Sequence, residues 1–147
     1  GVCFGHQIIA HALGGHAAKS DRGWGIGVHS IELHNHPNWM PVDDSIRLIH
    51  IHQDQVETLP PRAQLIGNSG FCPHAMFVIS DNVLCVQGHP EFTIAYIDKL
   101  MQVRAHLFDK EILKAAEASL DNGHDGERFA SWILSFLDAH QNRRAVA

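Results

Sequence analysis

At 147 residues and 45% hydrophobic content, the chain can bury one core but not two, so a single domain is expected. A net charge of −5, a pI near 6.2 and scattered Lys and Arg exclude an electrostatic case for nucleic acid or an anionic membrane surface. Three irregularly spaced cysteines argue against a disulfide framework, no apolar run approaches the ~20 residues of a membrane span, and the start shows no signal peptide, which makes cytoplasm the expected compartment.

In chain order, residues 4–13 read as a helix with Ile8, Ile9, Ala12 and Leu13 apolar, ended by Gly14-Gly15. Gly23-Trp24-Gly25-Ile26-Gly27 is glycine-rich but lacks the Lys-Ser/Thr of a phosphate loop. It reads as a flexible loop or simple turn with an exposed aromatic. Residues 28–33 alternate as a half-exposed strand, and His34-Asn35-His36-Pro37 is a solvated turn. A second strand over 46–52 has Ile49 and Ile51 on one face. Cys72 lies in a loop with nothing around it to activate a thiol. Residues 75–80 and 83–86 make a hairpin around Asp81-Asn82, with Cys85 a core residue. Thr93 caps a helix reaching about Phe108, with Ile94, Ile97, Leu100, Met101 and Phe108 in one stripe. After the loop Asp121–Gly126, a last helix over about 127–140 carries Phe129, Trp132, Ile133, Phe136 and Leu137. Both stripes read as core packing. There are no internal repeats.

Two separated motifs carry chemistry. Gly1-Val2-Cys3-Phe4-Gly5 has the form of a nucleophile elbow, where a strand turns sharply into a helix and presents the reactive side chain at the bend. Glycines two residues either side are expected because the turn brings backbones too close for a β-carbon. The helix N-terminus then aims free N–H groups at the thiol, an arrangement that favours thiolate. Taken alone, the same pattern also describes a small buried cysteine beside a glycine-rich turn. The second motif is Gly88-His89-Pro90-Glu91, just past the apolar run 83–86. Pro90 holds His89 towards extended backbone, so His89 and Glu91 project to one side. Glu91 can then hold one imidazole nitrogen while the other faces a thiol. His-Pro-Glu alone also fits a turn with a capping carboxylate; beside an elbow it fits a nucleophile, base and orienter better.

Gly1-Val2-Cys3-Phe4-Gly5-His6-Gln7, His52-Gln53-Asp54-Gln55-Val56-Glu57-Thr58-Leu59-Pro60 and Gln87-Gly88-His89-Pro90-Glu91-Phe92 resemble three blocks of class I glutamine amidotransferase domains, in the right order. The likeness covers most of the chain up to Phe92 and looks closest to stand-alone relatives of the glutaminase part of GMP synthase. It implies an α/β fold, a flavodoxin-like open sheet with flanking helices. It also implies Cys3 as nucleophile, His89 as general base and acid, and Glu91 as its orienter. Phe4 would give one oxyanion N–H, Gln7 would lie beside the glutamine pocket, and His6 and His52 are further pocket candidates. The reaction implied is hydrolysis of the glutamine side-chain amide through a γ-glutamyl thioester, without metal or organic cofactor. The ammonia would pass to a synthetase domain or subunit.

An elbow needs a strand leading into it, and the chain starts two residues before Cys3. The chain is therefore expected to be the C-terminal part of a larger domain, truncated at the N-terminus. The upstream strands and a second oxyanion donor would lie elsewhere. About 1–108 would form the core with the elbow and His-Pro-Glu, and about 109–147 a C-terminal helical extension. Two alternatives stay open, a γ-glutamyl peptidase-like hydrolase in the same fold and a catalytically silent binding or regulatory module. A metal hydrolase is a further alternative, because His50, His52 and Asp54 share one strand face. Gln55 then replaces the last histidine of the pattern His-x-His-x-Asp-His, and no matching second cluster follows.

Overall fold

Period-two alternation builds the centre of the molecule. The structure, a computed structural model, describes residues 1–80 and 82–144. Asp81, at the tip of the expected hairpin, and residues 145–147 of the expected extension lie outside the described residues. Strand β2 (Gly25–Leu33) pairs along its length with β3 (Ser45–His52), from Gly25 opposite His52 to Glu32 opposite Ser45. The five-stranded sheet runs β3-β2-β5-β6-β7, with β5 at Ala63–Asn68, β6 at Met76–Ile79 and β7 at Val83–Val86. The ladders are antiparallel. Val2 adds a parallel bridge to Val86 at the β7 edge. A separate two-stranded ribbon joins β1 (His16–Lys19) to β4 (Asp54–Thr58). The fold is thus mixed α/β, a curled antiparallel sheet with flanking helices.

Alternate residues of β3 serve two cores. Ile46 and Leu48 face a cluster with Ile31, Ile66 and Met76, closed by Phe129 and Trp132 of helix α4 (Gly126–Arg144). Ile49 faces the other way, onto Ile97 and Met101 of α2 (Ile94–Arg104) and Ala116 of α3 (Lys110–Ser119). Helix α1 (Phe4–Ala12) covers a third cluster of Ala10, Val56, Phe77 and Cys85. Thr93 caps α2 by accepting the Tyr96 N–H at 3.1 Å. A 3-10 turn, Ala105–Leu107, carries the chain on from α2 to Phe108.

Two expectations are corrected. Gly25, Ile26 and Gly27 are buried strand residues of β2, not a flexible loop. Trp24 is half-buried, edge-on to Phe108 at 5.2 Å between ring centres, so aromatic packing claims this segment. In the C-terminal stripe, Phe129, Trp132 and Phe136 are buried, whereas Leu137 is exposed. Among the described residues no helix is long and apolar enough to cross a membrane.

Candidate functional site

The chain enters the site beside β7 and bends at Cys3. The Cys3 N–H donates to the Val86 carbonyl at 2.9 Å, and the Val86 N–H to the Gly1 carbonyl at 2.9 Å. Cys3 then takes φ 48°, ψ −105°, and α1 begins at the next residue. A non-glycine residue held there costs of order 1–3 kcal/mol, a strain that collects at functional sites. A β-carbon on Gly1 would stand 2.7 Å from the Gly5 carbonyl oxygen and from the Ile9 Cδ1, so the bend requires glycine there. At Gly5 a β-carbon would meet nothing within 4 Å. The expected steric need for both glycines holds at Gly1 only.

The Cys3 sulfur has two N–H groups near it. The Phe4 backbone N–H, in the first turn of α1, favours the ionised sulfur. The second is the Gln87 amide, whose Nε2 lies 3.6 Å from Sγ. Both favour thiolate, yet burial raises the Cys3 pKa above its usual value, and the Glu91 and Asp54 carboxylates push the same way. The donors pull as expected of the helix terminus, but desolvation is the larger effect.

His89 and Glu91 are joined as the spacing predicts, with Nδ1 and Oε1 2.7 Å apart. The His89 N–H donates to the Ile49 carbonyl at 2.7 Å, which ties this segment to β3. The imidazole stacks on Phe92 with ring centres 4.0 Å apart and planes 9° apart. Nδ1 is engaged by the carboxylate, and among the described residues Nε2 makes no hydrogen bond. Among the described residues His89 makes no hydrogen bond to Cys3; the sulfur's side-chain partner is Gln87.

A cleft of about 280 Å³ opens at Cys3, lined also by Gln7, Trp24, Ile51, His52, Gln53, Asp54 and Arg104. His52 therefore reaches the cleft, although both its nitrogens are engaged, Nε2 by His50 at 3.0 Å and Nδ1 by the Asp54 carbonyl at 3.0 Å. His6 does not line it. That side chain is fully buried, 5.0 Å from the Phe77 ring. Burial lowers its pKa to about 3, so it sits there neutral. The Asp54 carboxylate does not join His50 and His52 in a ligand set. Among the described residues no three His, Cys, Asp or Glu side chains are arranged to hold a metal ion. Cys72 and Cys85 are fully buried, and burial pushes the Cys72 thiol up to about 12.

Sequence reasoning did not place Gln87, Trp24 or Arg104 beside Cys3. Gln87 stood in plain view two residues before His89, but its role depends on a long-range contact with Cys3. Arg104 reaches the cleft from the last turn of α2, and no local pattern marks it.

A thiol at a strained strand-to-helix bend, in an α/β domain with an imidazole–carboxylate pair at the end of a neighbouring strand, is the architecture these observations define. The chain belongs to the class I glutamine amidotransferase family, whose description, "Glutamine amidotransferase class-I", matches residues 1–104. It is 39% identical over 151 aligned positions to gamma-glutamyl peptidase 4 of Arabidopsis thaliana, covering 98% of this chain and 54% of that protein. It is 29% identical to the GMP synthase [glutamine-hydrolyzing] of Thermomicrobium roseum, over 74% of this chain and 20% of that protein. The crystal structure of a glutamine amidotransferase from Thermotoga maritima superposes with a TM-score of 0.69 at 20% identity, covering 95% of this chain and 60% of the other, a likeness of fold. The chain spans about half the length of the curated relatives it matches.

Proposed function

We propose that this chain carries a site that hydrolyses γ-glutamyl amides, the side-chain amide of glutamine first among them, through a γ-glutamyl thioester on Cys3. The observation that carries this reading is Cys3 itself, strained at the head of α1 beside a cleft and given N–H donors by Phe4 and Gln87. In this reading His89 Nε2 takes the thiol proton and Glu91 stabilises the imidazolium. Such hydrogen bonds commonly tighten only when substrate is bound, which accommodates the absent Cys3–His89 bond. Sulfur attacks the amide carbon, and the Phe4 N–H receives part of the developing oxyanion charge. The C–N bond breaks as His89 returns its proton to the departing amine. Water, deprotonated by the same nitrogen, then splits the thioester and releases glutamate. The half-reaction calls for no cofactor. A synthetase would receive the ammonia, in line with the likeness to a glutamine-hydrolysing GMP synthase.

A second reading keeps the chemistry and changes the amine. The relatives named gamma-glutamyl peptidase match the chain at up to 39% identity over nearly all its length, which favours γ-glutamyl peptides as substrates. Glutamate release from glutamine and from γ-glutamyl dipeptides, with Cys3→Ala as control, separates the two. Release from glutamine that vanishes in Cys3→Ala supports the amidotransferase reading, and release from dipeptides alone supports the peptidase. No release from either, by a chain that melts cooperatively, contradicts both.

A further inference from the structure

Gln87 is fully buried and stands outside the expected set of nucleophile, base and orienter. Which end of its amide faces Cys3 is decided by its neighbours. The Gln7 Nε2 lies 2.7 Å from the Asp54 carbonyl oxygen, which can only accept, so the Gln7 nitrogen is placed by that bond. The same NH₂ donates its other hydrogen to the Gln87 Oε1 at 3.2 Å. That turns the Gln87 oxygen away from the sulfur and the NH₂ towards it. Behind Gln7 the logic continues. His52 must carry its hydrogen on Nδ1 to reach the Asp54 carbonyl, which leaves Nε2 as the acceptor of the His50 Nδ1–H. The Asp54 carbonyl thus accepts from both His52 and Gln7, and from Gln7 onwards each bond presents a hydrogen towards Cys3, Gln7 to the Gln87 oxygen and Gln87 to the sulfur. A thiol needs an acceptor for its hydrogen, whereas a thiolate needs donors.

We propose that Gln87 is a further catalytic residue of this site, its amide N–H held on the Cys3 sulfur because its oxygen accepts from Gln7, a positioning residue that the Asp54 carbonyl in turn orients. The proposal rests on the reading of Cys3 as nucleophile. Before attack, the Gln87 N–H stabilises the thiolate formed when His89 accepts the proton. During thioester hydrolysis the water oxygen bonds to the carbonyl carbon, His89 takes the water proton, and the C–S electron pair returns to sulfur. The same N–H meets that returning charge. Phe4 serves the substrate oxygen, while Gln87 stays with the sulfur at both ends of the cycle. Gln7 has both amide hydrogens committed, so it offers a substrate only its oxygen.

The test is the pH dependence of Cys3 alkylation by iodoacetamide, which needs no turnover. Loss of hydrolysis with alkylation unchanged would contradict the proposed function and leave this proposal standing. Cys72 and Cys85 are fully buried, and Cys3→Ala measures their background. Gln87→Met, uncharged and close in size, moves the alkylation midpoint upwards by about one pH unit, as losing a hydrogen bond to a charged sulfur does. Gln7→Met frees the Gln87 amide to turn and gives a smaller upward shift. An unchanged midpoint in a cooperatively melting Gln87→Met chain overturns the proposal. Should that variant not fold, the wild-type chain decides. The Gln87 side-chain amide NMR resonances follow the Cys3 titration if the bond is present, and resonances indifferent to it overturn the proposal.

Discussion

Cys3 combines backbone strain, partial burial and two N–H donors, and His89 combines a carboxylate on one nitrogen with a second nitrogen that makes no hydrogen bond among the described residues. In the proposed mechanism the proton passes between them, so His89→Ala is expected to slow γ-glutamyl amide hydrolysis by about 10²–10⁴ in kcat/KM, the usual worth of a general base. Glu91→Gln leaves the imidazole in place without its charged partner and gives a smaller loss. Steady-state rates on glutamine and a γ-glutamyl dipeptide check both, and rates equal to wild type in His89→Ala would remove it from the mechanism. Cys3, His89 and Glu91 were legible as candidates because each sits in a short motif whose local geometry follows from adjacent residues. Gln87 and the Asp54 carbonyl were not, because hydrogen bonds between residues 47 to 84 positions apart bring them to the sulfur. The balance of burial against donors at Cys3 was also beyond sequence, since desolvation depends on everything packed around the thiol.

At the scale of elements, the segment before His89 is held by close approach. A β-carbon on Gly88 would stand 2.7 Å from Leu48 Cβ and 2.9 Å from His50 Nε2, both on β3. Gly88→Ala must therefore shift this segment off β3, at a cost of about 1–3 kcal/mol in stability with reduced hydrolysis. Urea denaturation alongside rates measures this, and an unaffected variant would show that the contact yields freely. Helix α4, expected as part of an extension, in fact delivers the fully buried Phe129 into the main cluster. Phe129→Ala should cost about 3–5 kcal/mol in the same denaturation experiment. The strands over 28–33, 46–52 and 83–86 and the two apolar-striped helices were legible from period and stripe. Strands β4 and β5 lack that alternation, since β4 buries the adjacent pair Gln55 and Val56 and β5 contains Gly67. Among the described residues the short β1 pairs with β4 and packs beside α1. Helix α3 carried a readable spacing in Ile112, Ala116 and Leu120, but its short apolar face only makes sense against β2.

Across the whole molecule, four histidines are held neutral inside the fold. Burial lowers the pKa of His6 to about 3 and of His52 to about 4, lowers that of His29, and depresses His50 well below the usual 6.5. Below pH 6.5 the unfolded chain binds protons that these sites refuse, so stability falls as pH drops through the window from 6.5 towards 4. Each histidine contributes a slope of about 1.4 kcal/mol per pH unit within its own window. The urea midpoint should therefore fall steeply between pH 7 and 5, and a flat profile would contradict the neutral burial of these side chains. The α/β class was legible from alternating strand and helix signals. The antiparallel order of the sheet was not, because pairing is decided by which strands the connections bring together.

The central claim, that Cys3 attacks a γ-glutamyl carbonyl, is tested most directly by covalent capture. The chain is treated with a glutamine analogue bearing an electrophile at the γ-carbon, and the modified peptide is mapped by mass spectrometry. Labelling confined to Cys3, suppressed by excess glutamine or a γ-glutamyl dipeptide and reduced in His89→Ala, is the predicted result. Labelling that ignores these competitors, or a Cys3 left unmodified in the folded chain, would contradict the claim.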